Sequence, residues 1–314
     1  MRFRKTLILF VVIALLISVV GCGTNSATKQ GEQAGQKQAA APDQLKSQLF
    51  VDATWLKDNI DKVVVIDARA DKDYNDGHIA GAVNASWQSL CDMSGKPGQA
   101  GWGVMLPASQ LAERIGQLGI NEDKTVIVYA APPGWGEDGC VLWMLKSAGI
   151  NNAKILDGGF KAWENTGGQI NKDIPKPTPV KFSIASIDAG LNATTDWIVS
   201  NQKNIKIVDS RSEKEYNGAT DYGEARGGHL PGAINIPFET MFNNDGTVKS
   251  STELKKLFTD AGLNPNDEIV TYCTAGIRSA HMALVMRMVG FEKARNYDAS
   301  YHEWAGNKSL TVEK

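Results

Sequence analysis

Cys273 lies in the segment whose residue types and spacing are best suited to covalent chemistry. The stretch Cys-Thr-Ala-Gly-Ile-Arg-Ser begins at Cys273 and follows an apolar run over residues 268–272 that is typical of a buried strand. It precedes residues 280–289, whose apolar positions have helical spacing and which end at Gly290. A cysteine between a strand and a helix meets unpaired backbone N–H groups and the positive end of the helix dipole, and both stabilise a thiolate. The pattern therefore predicts a nucleophilic cysteine.

The composition is that of an ordinary globular protein. The chain has 314 residues, which is long enough for two domains, and 42% of them are hydrophobic and 22% charged. The formal net charge is −2. Because the chain has no basic excess, its charge argues against nucleic acid or another polyanion as a partner.

The amino terminus has the pattern of an export signal. Residues 1–5 are basic, residues 6–20 are apolar, and small residues precede Cys22. This arrangement resembles the lipobox of bacterial lipoproteins, in which cleavage before the cysteine is coupled to lipidation of its thiol. We predict a lipoprotein signal peptide over residues 1–21, a lipid on Cys22 and a flexible tether over residues 22–46. The alternatives are a plain signal peptide or an uncleaved anchor, and in each case the globular part is exported and the predicted location is extracytoplasmic.

The other cysteines and the histidines predict neither a metal site nor a cofactor. Cys91 and Cys140 both lie in the first half of the chain, where they could form a disulfide outside the cytoplasm or remain buried thiols. The four histidines are scattered, and no metal-ligand spacing occurs in the sequence.

An internal repeat divides the chain into two copies of one unit. Three motifs recur in the same order: Asp-x-Arg after an apolar strand, Gly-His-x-x-Gly-Ala, and an Asp six residues before a Trp. They begin at Asp67 and Asp209, at Gly77 and Gly228, and at Asp157 and Asp298. Each copy alternates apolar strands with helical segments, which predicts an α/β fold with a mainly parallel sheet flanked by helices on both faces. We predict domains over residues 47–172 and 183–314, joined by a proline-rich linker over residues 173–182.

This ordered set of motifs, present twice, resembles the tandem rhodaneses, which are two-domain thiosulfate or 3-mercaptopyruvate sulfurtransferases. The resemblance implies that Cys273 takes a sulfane sulfur as a persulfide and passes it to a thiol or cyanide acceptor. It also implies that the first domain is a silent scaffold, since Ala130 stands where the second domain has Cys273. The donor is then a small molecule, and an exported enzyme could use a protein as its sulfur acceptor.

The residues after Cys273 are predicted to bind the transferred sulfur. The backbone amides of these residues would form a nest around the persulfide. The residues are Thr274, Ala275, Gly276, Ile277 and Arg278. The Arg278 side chain has two predicted roles, either to hold the anionic end of the donor or to form a salt bridge within its own domain. Its presence at the end of the loop favours thiosulfate as the donor.

Three charged residues outside the loop are predicted to support the site without carrying the chemistry. Asp209 and Arg211 follow the first core strand of the second domain and are interpreted as a structural ion pair. An insertion over residues 218–226 resembles a segment of other tandem members and is expected to bring Arg226 near the pocket.

Two other functions compete with sulfur transfer. Phosphatases and arsenate reductases of the same fold have five residues between the cysteine and the arginine, whereas four residues separate Cys273 from Arg278, which suits a single sulfur atom. The second alternative is a non-catalytic surface lipoprotein that binds or senses sulfur, since a silent first domain shows that the fold can persist without chemistry.

Overall fold

The computed structural model describes residues 43–314, which contain two similar α/β units. The strands of the first unit are β1 (Phe50–Val51), β2 (Val64–Asp67), β3 (His78–Ile79), β4 (Val83–Asn84), β5 (Val126–Tyr129), β6 (Ala153–Leu156) and β7 (Ile170–Asn171). Its helices are α1 (Lys46–Leu49), α2 (Ala53–Asn59), α3 (Asp71–Asp76), α4 (Ala108–Gln117), α5 (Glu137–Ser147) and α6 (Gly159–Asn165), with 3-10 turns at Ile60–Lys62 and Trp87–Leu90.

The second unit repeats this order. Its strands are β8 (Asn192–Ala193), β9 (Lys206–Asp209), β10 (Ile234–Asn235), β11 (Ile269–Tyr272) and β12 (Ala294–Tyr297). Its helices are α7 (Thr195–Asn201), α8 (Glu213–Tyr216), α9 (Ser251–Asp260), α10 (Ile277–Met288) and α11 (Ser300–Gly306), with a 3-10 turn at Phe238–Met241.

Each unit is built on a five-stranded parallel sheet of the same topology. The strand order is β1-β6-β5-β2-β4 in the first unit and β8-β12-β11-β9-β10 in the second, and all neighbours in both sheets are parallel. The central strands β5 and β11 are buried at every position, as expected for strands covered on both faces. The short pair β3–β7 is antiparallel. The predicted fold class is confirmed.

Helices α5 and α10 pack against each other and join the two units in one hydrophobic core. A side-chain carbon on Gly139 of α5 would lie 2.2 Å from the ring of His281 on α10, so glycine permits this close approach. Beside it, Asp138 Oδ1 lies 3.2 Å from His281 Nδ1. Both side chains are buried, and the pair therefore lies inside the contact between the two units.

Two aspartates at equivalent positions also link the units, each reaching into the other. Asp157 Oδ1 accepts a hydrogen bond from the Val248 N–H at 2.8 Å, and Asp298 Oδ2 accepts one from the Met105 N–H at 2.7 Å. Asp157 is also paired with Lys46 at 2.6 Å. Burial raises the pKa of Asp298 to about 7, against the opposing effect of the Met105 hydrogen bond.

The described residues extend to the amino-terminal side of the predicted domain boundary at residue 47. Asp43 accepts hydrogen bonds at 2.6 Å from the backbone N–H and the hydroxyl of Ser251, and α1 begins at Lys46. The end of the predicted tether is thus held by polar contacts with distant residues, which a search for apolar periodicity does not detect. The remainder of the tether, the predicted signal peptide and Cys22 lie outside the described residues.

The segment between the two units is extended along the first one. Residues 172–191, which include the predicted linker, contain neither helix nor strand. The Val180 N–H donates to the carbonyl of Gly116 at 3.0 Å, and a side-chain carbon on Gly116 would lie 2.5 Å from the Val180 carbonyl oxygen. From Asp43 to the carboxyl terminus, no helix is both long and apolar enough to cross a membrane.

Candidate active site

Cys273 lies at the carboxyl end of β11, directly before the loop that leads into α10. Gly276 ends this loop with a left-handed backbone (φ 82°), and Ile277 begins the helix. A side-chain carbon at Gly276 would lie 2.3 Å from the Asp298 carbonyl oxygen, so both the conformation and the close approach require glycine. The helix begins three residues before the predicted residue 280, because a left-handed glycine starts it at a point that hydrophobic spacing does not reveal.

The backbone N–H groups of the loop that follows Cys273 have no hydrogen-bond acceptor in the described part of the chain. The carbonyls of Cys273 and Thr274 accept hydrogen bonds at 3.0 Å from the N–H groups of Tyr301 and His302, in the first turn of α11. Within residues 43–314, the N–H groups of residues 274–278 donate no hydrogen bond. Five adjacent donors without acceptors therefore follow a cysteine that is 2% exposed, at the positive end of a 12-residue helix.

Arg278 is bound to its own domain. Its Nη1 and Nη2 donate to the two carboxylate oxygens of Glu215 at 2.9 and 2.7 Å, and Nη2 also donates to Thr274 Oγ1 at 2.9 Å. Burial opposes ionisation of Glu215, but the hydrogen bonds and charge of Arg278 outweigh it and lower the pKa of Glu215 to about 2. Of the two roles predicted for Arg278, the structure shows the salt bridge.

Glu215 is a site residue that the sequence analysis missed. It lies in α8, where Ser212 and Glu215 form a capping box, and this motif was visible as Ser-x-x-Glu. A capping box by itself indicates only a helix start. Its contact with Arg278, 63 positions away, depends on the tertiary fold.

Arg226 has contacts that differ from the predicted substrate-binding role. Its guanidinium donates to four backbone carbonyls at 2.8–2.9 Å, which belong to Trp304, Ala305, Asn307 and Leu310. These carbonyls lie at and after the end of α11, where helix carbonyls have no partner within the helix. The contacts of Arg226 therefore close the end of α11, because unpaired carbonyls attract a five-donor guanidinium.

Asp209 and Arg211 form a buried ion pair with both side chains fully enclosed. Arg211 Nε and Nη2 donate to the Asp209 carboxylate at 2.6–3.1 Å, and Nη2 also donates to the Gly228 carbonyl at 2.7 Å. Asp67 and Arg69 have the same arrangement in the first unit. Both copies keep the pair, including the one without a cysteine, and in both it joins the strand end to the Gly-His motif.

Aromatic side chains from both units lie over the loop. The Trp135 ring, from the first unit, is 4.8 Å from the Arg278 guanidinium carbon, and it meets Tyr222 edge-on at 4.9 Å. Trp102, also from the first unit, lies edge-on to His302 at 5.5 Å. Trp135 and Tyr222 are 40% and 45% exposed, so they form an apolar rim open to solvent. The sequence analysis did not identify this rim.

In the equivalent loop of the first unit, the Glu137 carboxylate accepts a hydrogen bond from the loop backbone. Ala130 occupies the cysteine position, and a Glu137 carboxylate oxygen accepts the Trp135 N–H at 3.0 Å. Burial raises the pKa of Glu137, while its hydrogen bonds from the Glu137 and Trp135 amides oppose that rise. The carboxyl group thus occupies amide donors in the copy that lacks the nucleophile.

Cys91 and Cys140 are free, buried thiols in the structure, so the disulfide left open by the sequence is not formed. Cys140 lies within α5 and is 2% exposed. Burial raises the pKa of both thiols well above the usual value. Neither cysteine has the helix-start environment of Cys273.

The two units match one known domain. The model of the rhodanese-like domain matches residues 52–166 and again residues 194–307. The chain therefore belongs to the rhodanese family and contains two rhodanese-like domains.

Similar full-length proteins support sulfur transfer at the level of the family. A Mycobacterium leprae protein named "Putative thiosulfate sulfurtransferase" is 31% identical over 280 residues, which cover 85% of this chain and 98% of the relative. A "Sulfur carrier protein TtuD" of Thermus thermophilus is 28% identical over 287 residues, covering 85% of this chain and 97% of the relative.

Solved structures show the same fold. The anaerobic ergothioneine biosynthesis enzyme of Chlorobium limicola, in complex with trimethyl histidine, superposes with a TM-score of 0.76 at 20% identity. The match covers 86% of this chain and 71% of that enzyme.

Proposed function

We propose that this protein is a sulfurtransferase that moves a sulfur atom, the sulfane sulfur of thiosulfate or the thiol sulfur of 3-mercaptopyruvate, to a thiol or cyanide through a persulfide on Cys273. The observation that carries the proposal is the set of five backbone N–H groups around the single cysteine of the loop, none of which donates elsewhere in the described chain. Such donors stabilise the negative charge of a persulfide without a general base.

Each half of the reaction transfers one sulfur atom. The Cys273 thiolate attacks the outer sulfur of thiosulfate, a new S–S bond forms, and sulfite leaves with the electron pair of the broken bond. An acceptor thiolate or cyanide then attacks the outer sulfur of the persulfide, and Cys273 leaves again as a thiolate. The two steps proceed through a covalent intermediate, so we expect ping-pong kinetics.

The geometry favours sulfur transfer over a phosphatase or arsenate reductase reaction. A tetrahedral oxyanion needs a wider loop and an arginine directed at its oxygens, whereas Arg278 directs Nη1 and Nη2 to Glu215 and Thr274. The donors of the loop that have no acceptor in the described chain are the backbone amides and Arg278 Nε, and they suit a small, singly charged sulfur. A shorter loop with an internally paired arginine therefore supports a persulfide.

The decisive test is cyanolysis of thiosulfate and of 3-mercaptopyruvate by the purified protein. We expect turnover for the wild type, background rates for Cys273→Ser, and turnover close to wild type for Cys140→Ser, whose thiol is buried within a helix. Mass spectrometry should find one added sulfur on the Cys273 peptide after donor treatment.

Other outcomes are equally informative. Wild-type turnover that survives Cys273→Ser would contradict the proposal. An added sulfur on Cys273 without transfer to any acceptor would instead favour the non-catalytic, sulfur-binding alternative.

We further propose that the protein is an exported lipoprotein held at a membrane by a lipid on Cys22. The basic and apolar stretches before this cysteine support the proposal. In cells fed a labelled fatty acid, we expect label on the wild type and none on Cys22→Ser, while Cys91→Ser keeps it. An unlabelled wild type recovered from the cytoplasm would exclude the lipoprotein form.

A further inference from the structure

A second cavity of about 300 Å³ lies between the two units and is open to solvent. Residues of both units line it, and none of them belongs to the Cys273 loop. Helix α10 begins at that loop and reaches the cavity with its last two turns, so the two places lie at opposite ends of one helix. The volume is at the lower end of the range for small-molecule sites, which is about 300–1,000 Å³.

Two cations reach this cavity from equivalent positions in the two units. Lys146 lies in the last turn of α5, and Arg287 lies in the last turn of α10. Each is three residues before a left-handed glycine, Gly149 (φ 94°) or Gly290 (φ 100°), whose N–H donates back to its carbonyl at 3.0 or 3.1 Å. Because α5 and α10 pack against each other, the duplication brings two positive charges to one cavity.

In the part of the chain that the structure describes, neither cation forms a salt bridge. Their acceptors there are backbone carbonyls. Lys146 Nζ donates to Asn151 at 3.2 Å, and Arg287 Nη1 donates to Gly190 and Ala294 at 3.4 and 3.2 Å. Nε and Nη2 of Arg287 have no acceptor among the described residues, and they remain available to a ligand.

The electrostatics of both cations reflect this lack of a paired acid. Burial lowers the pKa of Lys146, and the neighbouring Lys154 lowers it further. Burial also lowers the pKa of Arg287, an effect that Asp188 opposes and Arg295 reinforces. A partly buried cation next to other cations is stabilised by an anion beside it, which restores the interactions lost with water.

Apolar side chains form another part of the lining. Leu49 and Leu191 each directly precede the first strand of their unit, and they line the cavity together with Leu284 and Met288 of α10. The single acid of the lining is Asp188, whose Oδ1 already accepts a backbone N–H at 2.7 Å. The cavity therefore combines an excess of positive charge with an apolar surface.

We propose that this cavity binds a small organic anion, with its charged group at Lys146 and Arg287 and its apolar chain against the leucines and Met288. The free Nε and Nη2 of Arg287 form the fork with which a guanidinium binds a carboxylate. The ligand would contact both units and thereby stabilise the folded protein. This site is separate from the proposed sulfur transfer at Cys273.

The test titrates octanoate into the purified protein by isothermal titration calorimetry. Its carboxylate and its apolar chain represent the two parts of the lining, and we expect one saturable site on the wild type. Octanamide keeps the chain without the charge, and acetate keeps the charge without the chain. Each should bind at least about ten-fold more weakly than octanoate, since each loses one class of contact.

Two variants remove the cations one at a time. Lys146→Gln and Arg287→Gln should each weaken octanoate binding by about ten-fold, as for the loss of a hydrogen bond to a charged group. The matched control is Lys256→Gln, which removes one positive charge from an exposed lysine of α9 outside the lining and should leave the affinity unchanged. Thermal unfolding without octanoate checks that each variant is folded.

Absence of saturable octanoate binding to the wild type would overturn the proposal, as would a wild-type affinity in folded Lys146→Gln or Arg287→Gln. Equal affinity for octanamide would reveal a purely apolar site and would also overturn it. Equal weakening in Lys256→Gln would assign the effect to the net charge of the protein. The comparison of octanoate with octanamide uses the wild type alone, so it decides the role of charge even where a variant does not fold.

Discussion

At the scale of residues, Arg278 of the loop forms a buried ion pair with Glu215, which lies outside the loop sequence. The Glu215 carboxylate accepts hydrogen bonds from both terminal nitrogens of Arg278. Thr274 Oγ1 donates to the same carboxylate and accepts from Arg278 Nη2. Both charged side chains are at least 93% buried, so each depends on the other for its solvation. Both terminal nitrogens of the loop arginine are therefore held by contacts within its own domain.

Replacement of Glu215 by Gln should destabilise the protein at neutral pH by about 3–5 kcal/mol, because it leaves the buried Arg278 charge without a counter-charge. The folded-state pKa of Glu215 is about 2, below the usual 4.5, so the stabilisation is complete above pH 4.5 and is lost as the pH falls from about 4.5 to about 2. Urea unfolding at several pH values should show the wild type and the variant converging over that range.

The matched control is Glu253→Gln. Ser250 and Glu253 form the same type of capping box in α9, but Glu253 is exposed and has no arginine partner among its described contacts. We expect a much smaller loss of stability there. Equal losses in the two variants would show that the capping box, and not the Arg278 pair, is the source of the effect.

At the scale of elements, the first domain contacts the Cys273 loop through its own equivalent loop. The segment between β5 and α5 is longer than its catalytic counterpart, and its Trp135 covers the Arg278 guanidinium while meeting Tyr222. A partly exposed, edge-on aromatic pair is suited to contact the apolar part of a donor or acceptor. The loop of the first unit, which has Ala130 in place of a cysteine, thus contacts the loop of the second unit through Trp135.

Replacement of Trp135 by Ala should raise KM for the sulfur donor or acceptor by about two- to five-fold, as for the loss of one exposed cation–π and aromatic contact. Steady-state kinetics with each substrate varied in turn would show which half-reaction uses the rim. Trp55→Ala is the control, since Trp55 has similar exposure (39%) on α2. Unchanged kinetics in both variants would exclude the rim from substrate contact.

At the scale of the whole molecule, the two domains are joined by a buried helix pair and two reciprocal aspartates. Asp157 and Asp298 occupy equivalent positions after β6 and β12, and each accepts a backbone N–H of the other unit. The main chain of Asp298 also lies against Gly276 in the active loop. Asp298 therefore takes part both in the contact between the domains and in the packing of the loop.

Much of the architecture could be predicted from the sequence because it depends on local patterns. Apolar runs indicated the strands, the repeated Asp-x-Arg and Gly-His motifs indicated two copies, and the change from cysteine to Ala130 indicated which copy is silent. Less could be predicted at the ends of elements. The starts of α5 and α10 depend on left-handed Gly136 and Gly276, and hydrophobic spacing carries no information about them.

The sequence by itself determined the fold class and the duplication and singled out Cys273 as the predicted nucleophile, since these follow from residue type and periodicity along the chain. Only the tertiary structure decided the partners of that cysteine. The contacts of its loop come from residues 27 to 138 positions away from Cys273 along the chain, namely Ser300, Glu215 and Trp135. They meet because parallel strands bring their carboxyl ends to one edge of the sheet and because two domains pack at that edge. Such contacts depend on the distance between residues in the folded protein, which the spacing of residues along the chain does not predict.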